Sequence, residues 1–203
     1  MAKTKRINLA LQGGGAHGAF TWGVLDRFLQ EEDVEIAGIS GTSAGALNGA
    51  ALKSGMISGG RDGARANLDW LWSQVGSQTD VRMADWMRGI DPGHVAKAIE
   101  FSPAFAMADL WSRVVSPYSY GPFYRNPLAD IVERFDYDKV CNHVAPLLFI
   151  CATRVRNGKI KIFEGDEIGP DALMASACLP TFYKAVEIDG VPYWDGGFGG
   201  DFD

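Results

Sequence analysis

The chain has 203 residues, 47% of them hydrophobic and 22% charged, which suits one domain built on a single core. A formal net charge of −6 argues against a nucleic-acid partner, since phosphate backbones are bound through Lys and Arg, and against strong attraction to anionic membranes. Three scattered cysteines without a C-x-x-C pair and three histidines without paired spacing predict free thiols, no metal site and no cofactor.

The first residues, Met1 to Arg6, lead into a short apolar run at 7–11 that Gln12 and three glycines interrupt. That is too short for a signal peptide, and no stretch reaches the ~20 apolar residues of a membrane span, so a cytoplasmic location is expected. Residues 7–11 read as a buried strand entering a tight turn. Over 16–30, Phe20, Val24, Leu25 and Phe28 recur at helical spacing. A second strand is expected at 34–39, then a turn at Gly41-Thr42-Ser43-Ala44-Gly45, then a helix of small residues from Ala44 to about Leu52. Strand, helix, strand, helix in so short a span predicts a parallel sheet with crossover helices.

Residues 62–124 differ. They carry helical patterns, as at 64–75, and no convincing strand. Eight aromatics fall within 81–124, Trp86, Phe105, Trp111 and Phe123 among them. Such a segment is either a helical layer packing its rings into the core or a cap whose apolar face receives an acyl chain or touches a lipid surface. A helical cap at about 62–124 is the expectation taken forward, within a single domain over 1–203. Strand character returns at 146–153, and an Asn157-Gly158 turn leads to a further strand at 159–164. Residues 172–178 predict a short helix stopped at Pro180, and 186–194 a hairpin ending at Asp195-Gly196-Gly197.

Three motifs carry chemistry. The first is Gly41-x-Ser43-x-Gly45 between a predicted strand and helix. A serine there sits on a strained turn at the carboxyl edge of the sheet, beside the positive end of a helix dipole, while Gly41 and Gly45 relieve crowding. That makes Ser43 a candidate nucleophile, the alternative being an ordinary helix N-cap. The second is Gln12-Gly13-Gly14-Gly15-Ala16-His17-Gly18. Backbone N–H groups of Gly13, Gly14 and Gly15 at a helix start can hold an anion, which in acyl transfer is the tetrahedral oxyanion. The same residues fit the dinucleotide fingerprint Gly13-x-Gly15-x-x-Gly18, so a nucleotide-binding oxidoreductase is the rival reading. That fingerprint wants an acidic residue at the end of the second strand, whereas Asp33 and Glu35 lie at its beginning.

The third motif, Asp195-Gly196-Gly197, taken alone reads as an ordinary Asp-Gly turn. Histidine position adds meaning to it. An α/β-hydrolase triad runs serine, acid, histidine along the chain. After Ser43 come only His94 and His143, and no histidine follows Asp195. A carboxylate acting directly on the serine is then the simpler arrangement.

In this order the three motifs, with Ala175-Ser176-Ala177-Cys178-Leu179-Pro180 before the last, resemble the patatin-like phospholipase family over nearly the whole chain. The resemblance implies a three-layer α/β/α sandwich with a mostly parallel sheet, a Ser43–Asp195 dyad, a glycine-loop oxyanion hole and calcium-independent hydrolysis of lipid acyl esters. Its partners would be a lipid or acyl-ester substrate and, peripherally, a membrane surface. Better known members usually carry Arg where this chain has His17, and usually continue well beyond the Asp-Gly-Gly, whereas this sequence stops at Asp203. A natural short form, a truncated gene, or an edge covered by self-association are the expectations this departure leaves open, and it motivates a non-catalytic lipid-binding remnant as a third reading.

Overall fold

The computed structural model describes residues 4–78, 116–180 and 182–199. A six-stranded mixed sheet organises them, paired in the order β1-β2-β3-β6-β5 with β4 also on β3. Strands β1 (Lys5–Leu11), β2 (Val34–Thr42) and β3 (Leu147–Arg154) are parallel, joined through helix α1 (Gly18–Phe28) and the helical segment α2 (Ala44–Gln78). This is the expected parallel sheet with crossover helices. The later strands β4 (Ile160–Glu164), β5 (Val186–Ile188) and β6 (Val191–Asp195) pair antiparallel. A turn through Asn157 and Gly158 joins β3 to β4, with the Gly158 N–H donating to the Arg154 carbonyl.

The α2 segment is two helices, not one. Gly59 and Gly60 leave helical geometry, Gly60 at φ 61°, and the chain reverses there. The amide of Asn67 reaches the Ala51 carbonyl and the Trp72 indole reaches Asn48, so arms 44–58 and 61–78 run antiparallel. They touch closely at Gly55 and Gly63, where a Cβ on either would meet the other's carbonyl oxygen at 2.4 Å. Every residue of the first arm from Ala44 to Gly55 is buried, whereas the second arm is amphipathic, with Ala64, Leu68 and Leu71 buried along one stripe. Of the expected cap, residues 79–115 lie outside the described residues; residues 62–78 form this second arm.

The sheet faces are unequal. Leu148, Ile150 and Ala152 of β3 turn to the helical side and are buried, while Leu147 on the other face is exposed, as are Asn8, Ala10 and Ser40 among the described residues. The first arm of α2 lies flat on the covered face because it presents glycine and alanine there. A Cβ at Gly49 would meet Leu148 at 2.9 Å and Ile39 at 3.1 Å.

Strand β3 fixes the relative position of the two carboxyl-end turns. It pairs β2 through residues 147–151, β4 through 149–153 and β6 through 152–154. A strand has two edges. Since β4 overlaps both other partners, β2 and β6 must share the opposite edge, end to end. Thr42 is therefore opposite Cys151 and Asp195 opposite Ala152, on consecutive residues of one strand.

A second close approach brings the loop after β1 to the same place. A Cβ on Gly45 would lie 2.0 Å from the Leu11 carbonyl oxygen. Gly45→Ala is expected to destabilise the protein by about 1–3 kcal/mol or more, since the backbone of β1 cannot give way without moving the sheet. Gly23, in the interior of α1, has nothing among the described residues within 4 Å of where a Cβ would stand. Gly23→Ala should stabilise by roughly 0.5–1 kcal/mol. Urea-unfolding midpoints of the two variants should move in opposite directions.

Candidate active site

Ser43 lies between β2 and α2 with φ 55°, a left-handed conformation that costs a non-glycine residue on the order of 1–3 kcal/mol. Its carbonyl accepts from the N–H groups of Ala46 and Leu47 at 2.9 and 3.2 Å, so the helix begins on it. Its hydroxyl caps nothing: a capping serine bonds N–H groups of the first turn through Oγ, and Ser43 Oγ makes no such bond among the described residues. The side chain is instead presented in a nearly buried position, 8% exposed, at the positive end of the helix. Gly41 is required beside it, because a Cβ there would lie 2.6 Å from the Gly45 carbonyl oxygen.

The strained amide is held from across the molecule. Ser43 N–H donates to Ser176 Oγ at 2.9 Å, and Ser176 is fully buried at the end of the Pro170–Ser176 helix. Two residues on, the Cys178 carbonyl accepts from Asp195 N–H at 2.8 Å. Residues 176–178 thus brace both turns. Sequence reasoning gave Ser176 no role; its place in the run Ala175-Ser176-Ala177 was the available signal, a lone hydroxyl among small buried residues.

Asp195 ends β6 and is 3% exposed. Its Oδ1 accepts from the Gly197 N–H at 2.8 Å, while Oδ2 is buried without a hydrogen-bond partner among the described residues. Burial pushes the carboxyl above the ordinary aspartate range; the neighbouring Ser43 hydroxyl and the Gly197 N–H pull it part of the way back. Ser43 and Asp195 are therefore close enough to interact, short of a formed hydrogen bond. A Cβ on Gly196 would lie 2.4 Å from the Cys151 carbonyl oxygen, so the turn after Asp195 sits flat against β3.

The glycine loop completes the arrangement. A Cβ on Gly13 would lie 2.8 Å from Ser43 Cβ, which places the loop backbone against the serine. Gly14 and Gly15 have φ of 143° and 55°. The N–H groups of Gly13, Gly14 and Gly15 donate no hydrogen bond among the described residues. The loop is tied at its far end, where His17 N–H and ring Nδ1 both reach the Gly14 carbonyl at 3.1 Å.

His143 faces Asp166 on the surface at 3.6 Å, and no described histidine hydrogen-bonds Ser43 or Asp195. His94 lies outside the described residues. The two nearby thiols are poor nucleophiles, since burial pushes Cys178 up to about 12 and also raises Cys151. The acids of the rival nucleotide reading stand elsewhere. Glu35 pairs with Arg6 at 3.2 Å near the start of β1 and β2, the end of the strands opposite the glycine loop.

An apolar cavity of about 280 Å³ opens beside Ser43, lined by Ala16, Leu47, Leu71, Trp72, Val75 and Leu179 among others. A larger depression of about 560 Å³ lies on the open sheet face at Arg6, Asn8 and Leu147; it touches neither Ser43 nor Asp195, and the smaller cavity is the one assigned to the site. Among the described residues no helix is long and apolar enough to cross a membrane.

The family described as patatin-like phospholipase matches residues 9–202. No curated protein matches the chain. A solved structure, the heterodimeric ExoU–SpcU complex from the type III secretion system of Pseudomonas aeruginosa, matches with a TM-score of 0.40 and 19% identity, covering 88% of this chain. The match covers 37% of the chain in that complex.

The raised carboxyl predicts a stability signature. A group whose folded pKa lies above its unfolded value binds more protons in the native state, so stability falls as pH rises from the unfolded pKa through the folded one. Asp195→Asn removes that loss and keeps an acceptor for Gly197. It should leave stability nearly unchanged at about pH 3 and raise it at pH 7, as thermal melts at the two pH values would record. Equal effects at both would contradict the raised pKa.

Proposed function

The chain belongs to the patatin-like phospholipase family, and from this premise we propose that it is a serine acyl hydrolase cleaving carboxylic esters of lipids. One observation carries the reading: a serine in left-handed geometry beside a buried aspartate, the serine hydroxyl uncommitted and the second carboxylate oxygen unpartnered among the described residues. An unpartnered acceptor is what a base needs, and a hydroxyl that caps nothing is what a nucleophile needs.

In the proposed reaction Ser43 Oγ attacks the acyl carbonyl carbon as Asp195 Oδ2 takes its proton. The oxyanion that forms is received by N–H groups of the Gly13–Gly15 loop, with the α2 dipole behind it. The intermediate collapses, the C–O bond to the alcohol breaks, and Asp195 returns the proton to the departing oxygen. Water then repeats the sequence on the acyl-enzyme, releasing the acid and restoring Ser43. The apolar cavity would take the acyl chain. An ordinary aspartate, with a pKa near ~3.9, is a feeble base toward an alcohol. Burial that raises it improves the match, and it needs no histidine to stay ionised at neutral pH.

Ser43→Ala and Asp195→Asn should each lower kcat for a butyryl p-nitrophenyl ester by about 10³-fold or more, with the fold intact by circular dichroism. A fluorophosphonate probe should label the wild type and not Ser43→Ala. The kcat/KM profile should have one acidic limb, with an apparent pKa above that of a free aspartate, and His17→Gln should not move it. Wild-type protein that neither labels nor hydrolyses any ester would reduce the chain to a lipid-binding role; an active Asp195→Asn would remove the dyad.

A further inference from the structure

The helical wall of the cavity beside Ser43 is made by Leu47, Leu71, Trp72 and Val75. The aliphatic members can yield to a ligand by changing rotamer. Trp72 is held. Its Nε1–H donates to Asn48 Oδ1 at 2.9 Å, and Asn48 is fully buried. The Asn48 amide in turn donates to the Gly18 carbonyl at 3.0 Å, at the end of the glycine loop. The indole edge occupies the space a Cβ on Gly18 would need, with Cζ2 at 2.8 Å and Cη2 at 2.9 Å. Behind it the ring stacks on Trp22 at 6.5 Å with planes 8° apart. Moving this indole would break a partly buried hydrogen bond and leave the Oδ1 of the buried Asn48 unsatisfied, a far steeper cost than a leucine rotamer.

We infer that Trp72, clamped through Asn48, is the specificity-determining wall of the site and sets the upper size of the acyl group accepted. The inference rests on the reading of Ser43 as the residue acylated in this cavity. The substrate class follows: esters whose acyl chain fits about 280 Å³ without displacing the indole. Each methylene buried against such a wall is worth up to about fourfold in kcat/KM. Straight-chain esters should therefore improve stepwise with length and then level off once the cavity is filled. Without the indole, the cavity gains room toward Trp22 and the levelling-off moves to longer chains.

The test is a series of p-nitrophenyl esters from acetyl to dodecanoyl, run on wild type, Trp72→Ala and Trp72→Phe. Lengths are compared as ratios within each protein, so that changes in overall rate cancel. The dodecanoyl-to-butyryl ratio of kcat/KM should rise at least tenfold in Trp72→Ala and at least threefold in Trp72→Phe, which loses the bond to Asn48. A ratio within twofold of wild type in folded Trp72→Ala overturns the inference; if that variant does not fold, the same result in Trp72→Phe does so. A second arm needs no chemistry: octanoate and dodecanoate binding by calorimetry, with and without the Trp72 change, on a Ser43→Ala background. If the wild type hydrolyses no ester and takes no probe, the acyl-hydrolase reading fails. The calorimetric ratio then judges the wall alone: a shift toward dodecanoate supports it, and identical chain dependence overturns it.

Discussion

Two strands share one edge of β3, and the site depends on where the first stops and the second starts. Residue 151 pairs with the last residue of β2 and residue 152 with the last residue of β6. With a rise of about 3.3 Å per residue, those rungs are neighbours. Neither strand can extend without displacing the other, so each turns away from the sheet at the same point. One turn carries Ser43 into α2; the other carries Asp195 into the turn at Gly196–Phe198. Two residues separated by most of the chain are thus set side by side by backbone pairing before any side-chain contact is considered. The glycines allow the remaining approach, with Gly45 against the Leu11 carbonyl and Gly196 against that of Cys151.

This placement conflicts with stability, and the conflict identifies what the rest of the fold must supply. Ser43 is held in left-handed geometry, and Asp195 Oδ2 is buried without a partner among the described residues. Each feature costs on the order of 1–3 kcal/mol. Neither would persist on a loop free to relax. Ser43 N–H is held by Ser176 and Asp195 N–H by Cys178, and the helix that ends at Ser176 is anchored by Ala172, Leu173 and Ala175, all buried at 1% exposure or less. The apolar core therefore acts on the site through two hydrogen bonds. Leaving the carboxylate oxygen unsatisfied keeps it available as an acceptor, so the feature that weakens the fold is the one the proposed proton transfer needs.

Much of this was legible in the sequence because it is local. The strand–turn–helix around Ser43, the glycine loop, the Asn157-Gly158 turn and the 186–194 hairpin each announce themselves within a few residues. Asp195 was less so: its dipeptide is that of a common turn, and only the absence of a later histidine and the order of the motifs gave it meaning. The brace at 176–178 was not legible, since the bond from Ser43 to Ser176 spans 133 residues and no periodicity encodes it. The hairpin within α2 was hidden too. The two helical patterns at 44–52 and 64–75 could be read, but not that Gly59 and Gly60 fold one arm onto the other. Nor could the double duty of residues 62–78 be read: Leu68 and Leu71 carry that arm into the core, while Leu71, Trp72 and Val75 line the cavity beside Ser43.

The first arm of α2 shows how a site is made rigid without many polar contacts. In Ala44-Gly45-Ala46-Leu47-Asn48-Gly49-Ala50, glycine in a helix interior should weaken the helix by about 1 kcal/mol per residue. Gly45 and Gly49 are tolerated because they let the arm lie directly on the backbone of β1 and the side chains of β2 and β3. Such contact leaves no slack for the helix to tilt or slide, which a layer of longer side chains would allow. The other faces of the same two turns are then free for different work. Ser43 sits at the tip, Leu47 faces the cavity, and Asn48 reaches inward to tie the Gly18 carbonyl to the Trp72 indole. A shift of this arm would move the hydroxyl, the glycine loop and the cavity wall together. Their relative geometry is therefore set by one rigid helical arm, in which Asn48 ties the end of the glycine loop to the cavity wall.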